Sequence, residues 1–145
     1  MDLVNMVITV VSGVLVFIIG ELFLEFILRP IQEYKKLKGE VAKSLVLYAQ
    51  YYYNPQFNED GKSEGHSDAS NNLRELASEV AAFKEITPNY LITFTTIPKK
   101  QHLQTMSENL IGLSNSCYTI KSSKERYASF ATECESKIEK ILEIK

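Results

Sequence analysis

The stretch Leu3–Leu28, LVNMVITVVSGVLVFIIGELFLEFIL, decides how this chain is built. From Leu3 to Gly20 no residue carries a charge, and the apolar character runs on to Leu28, interrupted only by Glu21 and Glu25. At ~1.5 Å per residue, roughly 20 helical residues cross a ~30 Å hydrocarbon core. The Leu, Ile, Val and Phe residues between Leu3 and Gly20 together favour insertion by about 4–7 kcal/mol. The stretch therefore predicts one membrane-spanning helix. A soluble core helix can be as apolar, but a chain of 145 residues has little interior in which to hide one from all sides. A secretory signal peptide fits poorly, because only Met1-Asp2 precedes the run, without Lys or Arg, and no small-x-small cleavage site follows.

Working outward, the C-terminal flank carries Arg29, Lys35, Lys36, Lys38 and Lys43. The positive-inside bias places the residues after the anchor in the cytoplasm and the short N-terminus outside. Lys35, Lys36 and Lys38 are also placed to meet anionic lipid headgroups. Around the helix itself, at ~100° per residue, Asn5, Thr9, Ser12, Gly13, Val16 and Gly20 share one face. Small and polar residues let a second helix approach closely, which makes this a packing face for a homo-oligomer. The competing reading is that Gly, Ser and Thr are simply common in spanning helices; no strict GxxxG is present. Glu21, Glu25 and Arg29 form a separate stripe at i, i+4, i+8. A ring of glutamates would suit an ion path, but their place at the inner boundary favours anchoring charges, with Glu25 paired to Arg29.

Residues 1–29 are thus expected to be a transmembrane anchor and 30–145 a cytoplasmic helical domain with a loop over 54–69. The fold class is all-α: the anchor continues into a bundle of about four helices, with a short extended segment near 90–97. Some 115 residues suffice for a core. The net charge of −2, with acids and bases interspersed, gives no field for nucleic acid. Cys117 and Cys134 lie far apart, on the side expected to be cytoplasmic, so reduced structural thiols are expected, with no Cys/His pattern for zinc.

Pro30 lacks the N–H for a bond to Phe26 and should bend or restart the helix. Beyond it Tyr34, Leu37, Val41, Leu45, Tyr48 and Tyr52 step at helical spacing for about 22 residues. Tyr51 and Tyr53, with their tyrosine neighbours, are expected to pack under the next loop or to form a partner patch. Asn54-Pro55 stops this helix, and the following polar run predicts a loop. His66-Ser67-Asp68 falls inside it, and contiguous residues cannot assemble a triad. A helix from about Asn71 to Ile86 follows, with Leu73, Leu76, Val80 and Phe83 on one face and Asn72/Glu75 at capping-box spacing. Tyr90 to Ile97, YLITFTTI, is β-branched and aromatic, and reads as an extended connector or a strand pairing across protomers. Pro98 suits the first turn of a helix carrying Leu103, Met106, Leu110 and Leu113, with an isolated, solvated or capping His102 beside the stripe. Ser114-Asn115-Ser116 reads as a break. Ser122 and Glu125 then box the start of a last helix, whose face is Tyr127, Phe130, Cys134, Ile138 and Ile141.

Arg29-Pro30, Tyr48-Ala49, Asn54-Pro55, Leu73-Arg74-Glu75-Leu76-Ala77-Ser78 with Phe83, Ile97-Pro98, and Leu110-Ile111-Gly112-Leu113-Ser114-Asn115-Ser116 are spread over most of the chain. On these residues it resembles a group of small single-pass bacterial inner-membrane proteins with no assigned activity. The resemblance implies that membrane and lends no catalytic residues.

No nucleophile with a base, paired carboxylates, phosphate-cradling glycine loop or metal cluster can be assembled from the sequence. The reading is a non-enzymatic, cofactor-free interaction and assembly module. Its expected partners are the lipid bilayer, further copies of itself and a protein. A small oligomeric channel or membrane-disrupting effector, acting in stress or phage defence, is the alternative.

Overall fold

A computed structural model of the chain describes residues 2–57, 64–119 and 124–143. Helix α1 (Leu3–Phe23) passes through a π-helical turn (Leu24–Leu28) into α2 (Arg29–Tyr53), with no interruption over 51 residues. None of α1 is buried. Its aliphatic side chains, from Leu3 to Phe23, stand exposed, and it is the one helix among the described residues long and apolar enough to cross a membrane.

Pro30 does not stop the helix; it lies in the first turn of α2, just past the π turn. In that turn the Arg29 N–H reaches back five residues to the Leu24 carbonyl. Pro30 brings no N–H toward the Phe26 carbonyl, and the Tyr90 hydroxyl donates to it instead at 3.3 Å. A widened turn and a substitute donor accommodate the proline, as π turns inside helices commonly do.

The remaining helices are α3 (Glu64–Ile86), α4 (Asn89–Phe94), α5 (Lys100–Ser116) and α6 (Lys124–Leu142). Helix α3 packs on α5, α5 on α6, and α2 lies across α3 and α6. The helical stripes become the core: Tyr34, Leu37, Val41, Leu45 and Tyr52 of α2 are buried, as are Leu73, Leu76, Val80 and Phe83 of α3. Leu103, Met106, Leu110 and Leu113 of α5 are fully enclosed. On α6 the face is displaced from the expected one. Ala131, Cys134, Ile138 and Leu142 are buried, while Phe130 is exposed and Tyr127 and Ile141 are half-buried.

Five sequence expectations are corrected. The loop over 54–69 is shorter, because α3 begins at Glu64 and Ala69 and Ser70 are already buried in its contact with α5. Asn72 is consequently mid-helix, and its Oδ1 accepts from the Ser44 hydroxyl (3.0 Å) rather than capping. The segment near 90–97 is not extended throughout, since Asn89–Phe94 is helical and extended backbone begins only at Thr95. Burial of Leu91 and Ile97, with Pro88 set in extended geometry before the first turn, outweighs the β-branched side chains. Ser114-Asn115-Ser116 is not a break but the last turn of α5. Pro98 precedes α5 rather than opening it, and Ser122 lies outside the described residues.

Small residues bring α3 and α5 together. The Ser107 hydroxyl donates to the Ala77 carbonyl (2.8 Å), and Ser114 donates to the Ser70 carbonyl (3.0 Å) while its Oγ accepts from the Ser70 hydroxyl (2.9 Å) and Arg74 Nε (2.9 Å). Each buried hydroxyl is thereby satisfied, so serines can sit where apolar residues would be expected. Across the α5–α6 contact Gly112 is required: a Cβ there would lie 2.9 Å from Cys134 Sγ and 3.3 Å from the Phe130 ring. A two-residue parallel bridge, Gln56–Phe57 with Tyr118–Thr119, ties the end of α2 to the end of α5.

Candidate functional site

On α1, Asn5, Thr9, Ser12, Gly13 and Gly20 are all exposed, and the glycines have open space around them. The Thr9 hydroxyl donates to the Asn5 carbonyl (2.8 Å) and that of Ser12 to the Thr9 carbonyl (2.9 Å). These hydroxyls are therefore satisfied within their own helix and present a small, largely apolar surface outward. Glu25 and Arg29 are paired at 2.6 Å, and Glu21 is exposed one turn earlier. Lys36 stands 3.7 Å from Glu40.

The tyrosines at the far end of α2 are occupied by the fold. Tyr52 is fully enclosed; its hydroxyl lies 2.9 Å from the Leu45 carbonyl and 2.7 Å from Glu135 Oε1. The Tyr53 hydroxyl donates to Glu135 Oε2, so one carboxylate of α6 holds two phenols of α2. Burial, then the bonded carboxylate, push both phenols up from their ordinary range and keep them protonated. Tyr51 packs over Gly65 and edge-on to His66, with ring centroids 5.0 Å apart. His66 Nε2 donates to the Asn54 carbonyl at 3.0 Å. Ser67 and Asp68 project in other directions around α3, at ~100° per residue, so the three do not converge.

Lys35 and Lys38 open onto a feature the sequence did not disclose. They line a cleft of about 830 Å³, completed by the α4–α5 connection and the end of α6. Lys99 stands at the N-terminus of α5, and Lys137 and Lys140 rise from the last turns of α6. His102 is at the edge, and Glu143 is the one carboxylate among the lining residues. The floor is apolar, built from Ile92, Ile97, Leu142 and the ring of Tyr34, which stacks on Phe83 at 5.9 Å. Burial and the nearby Glu143 push the Tyr34 phenol up and keep it protonated. Lys137 is paired with Glu133 at 2.6 Å, which raises its pKa and lowers that of Glu133. Among the described residues no ion pair engages Lys35, Lys38, Lys99 or Lys140.

Both cysteines are free and buried, and desolvation pushes the Cys117 thiol up to about 12. Among the described residues no three His, Cys, Asp or Glu side chains are grouped to hold a metal. No family model, no curated protein and no solved structure matches the chain.

Proposed function

We propose that this protein is a single-pass membrane protein whose anchor carries a bundle of four helices on the cytoplasmic side of a bacterial inner membrane, and that it works by interaction rather than catalysis. One observation carries the reading: Leu3–Tyr53 is a single helix whose first half is apolar and bare while its second half buries one face in the core. Exposed apolar surface on this scale needs lipid or other helices to cover it. Ile27 and Ile31 pack against the core, and Tyr90 is bonded to Phe26, so the domain grips the helix right up to the apolar run. That grip supports a retained anchor over a removed leader. The juxtamembrane lysines support a cytoplasmic domain.

The module self-associates through Asn5, Thr9, Ser12, Gly13 and Gly20, and an assembling tether is the reading we favour over a channel because Glu25 is already neutralised by Arg29. The test is native mass spectrometry of the full chain in nanodiscs. A defined oligomer that dissociates on Gly13→Ile with Gly20→Ile is expected. A strict monomer that co-purifies with no partner would overturn self-association, and ion flux abolished by Glu21→Gln would replace the tether with a pore.

A further inference from the structure

We propose that the lysine-lined cleft between α2, the α4–α5 connection and α6 binds a phosphate group carrying an apolar tail. Its wall is cationic in a chain whose net charge is −2, so the convergence of Lys35, Lys38, Lys99, Lys137 and Lys140 is local and not a reflection of composition. These side chains come from three separate parts of the chain, and Glu143, the one carboxylate among the lining residues, leaves five like charges largely unanswered, which is unfavourable until an added anion meets them. Four of the five have no ion pair among the described residues. Lysines act as mobile point charges and suit a phosphate, whose charge is spread over several oxygens, better than a fixed planar fork would.

The floor adds the second half of the specificity. Ile92, Pro98 and Ile141, half-buried over the enclosed Ile97 and Leu142, give an apolar bed beside the charges. A simple anion would leave that bed wet, whereas an alkyl chain beside the phosphate covers it. At about 830 Å³ the space falls within the range of small-ligand sites.

Two sources supply this chemistry: a phospholipid of the adjacent bilayer or a soluble phosphorylated amphiphile. Lys35 and Lys38 follow Arg29 by six and nine residues, hence about 9 and 14 Å along the helix axis, within reach of a headgroup layer once side-chain length is added. The lipid source rests on the tether reading; the binding of a phosphate amphiphile does not.

The experiment uses the full chain in nanodiscs of phosphatidylcholine alone or with one-third phosphatidylglycerol. Lysine acetylation is read residue by residue by mass spectrometry, with Lys43 as the reference outside the cleft. In neutral discs hexyl phosphate and inorganic phosphate serve as soluble probes. Protection of Lys99 and Lys140 relative to Lys43 is expected. If it appears only with phosphatidylglycerol the ligand is lipid; if hexyl phosphate also confers it, a soluble amphiphile fits as well. Lys99→Gln with Lys140→Gln, both exposed positions, should weaken hexyl phosphate binding about 25-fold at roughly fivefold per lysine while leaving thermal unfolding unchanged. Ile92→Ser should weaken hexyl phosphate but not inorganic phosphate. Equal protection of Lys43, or affinity indifferent to the double variant, means unspecific adsorption and overturns the site, as does no protection under any condition. A chain that fails to insert into discs yet binds hexyl phosphate through Lys99 and Lys140 would refute the tether and leave the cleft standing.

Discussion

Glu135 shows how a single side chain can hold two helices in register. The Tyr52 hydroxyl sits between the Leu45 carbonyl and this carboxylate, and Tyr53 binds the other oxygen. Tyr52→Phe leaves a carboxylate oxygen with one partner fewer and should lower stability by about 1–3 kcal/mol, measured as the shift in chemical unfolding of the detergent-solubilised chain. Gly112→Ala brings its new methyl against Cys134 Sγ and should cost about 1–3 kcal/mol by overpacking. Cys134→Ala in the same chain removes the atom it strikes and should recover much of the loss. Cys117, with its thiol pushed up to about 12, should resist iodoacetamide at pH 8 until the protein is unfolded. Its folded pKa lies above the ordinary thiol value of 9.0, so the folded state holds the proton more tightly. The stability this represents is complete below about pH 9 and is lost as pH rises toward 12. Tyr52 shifts in the same direction, so unfolding midpoints should be level to about pH 9 and then fall.

At the scale of elements, much of the fold was legible because apolar spacing and burial obey the same period. Tyr34 to Leu45 and Leu103 to Leu113 occupy the core as their spacing requires. What escaped the sequence depends on partners far along the chain. Ser114 and Asn115 read as punctuation until Ser70 and Arg74 supply hydrogen bonds from 40 or more residues away. Tyr90–Ile97 reads as an extended connector or a short strand until Leu91 is seen to be buried by the helix Asn89–Phe94. The sequence points Lys35 and Lys38 at headgroups, but only the tertiary fold joins Lys99, Lys137 and Lys140 to them. The junction at Pro30 is testable here. Tyr90→Phe withdraws the donor from the Phe26 carbonyl and should speed amide exchange at Leu28, Arg29 and Ile31. Pro30→Ala should slow it, because the new N–H faces the preceding turn.

For the whole molecule, the π turn at Leu24–Leu28 decides which way the two ends of the long helix look. Counted at ~100° per residue along an unbroken α-helix, the small-residue face of α1 and the core face of α2 would share nearly the same azimuth. Two chains meeting through Gly13 and Gly20 would then drive their own domains into each other. A π turn accommodates about one extra residue, turning everything beyond it by roughly 100°. In the proposed assembly the domain is thereby swung aside from the seam, as a flag is set on its pole. Deleting Leu24 should restore the α-helical count and swing the domain back. Unfolding of the bundle should change little, while the proposed oligomer, read by native mass spectrometry, should be lost, since steric exclusion between neighbouring domains depends on orientation.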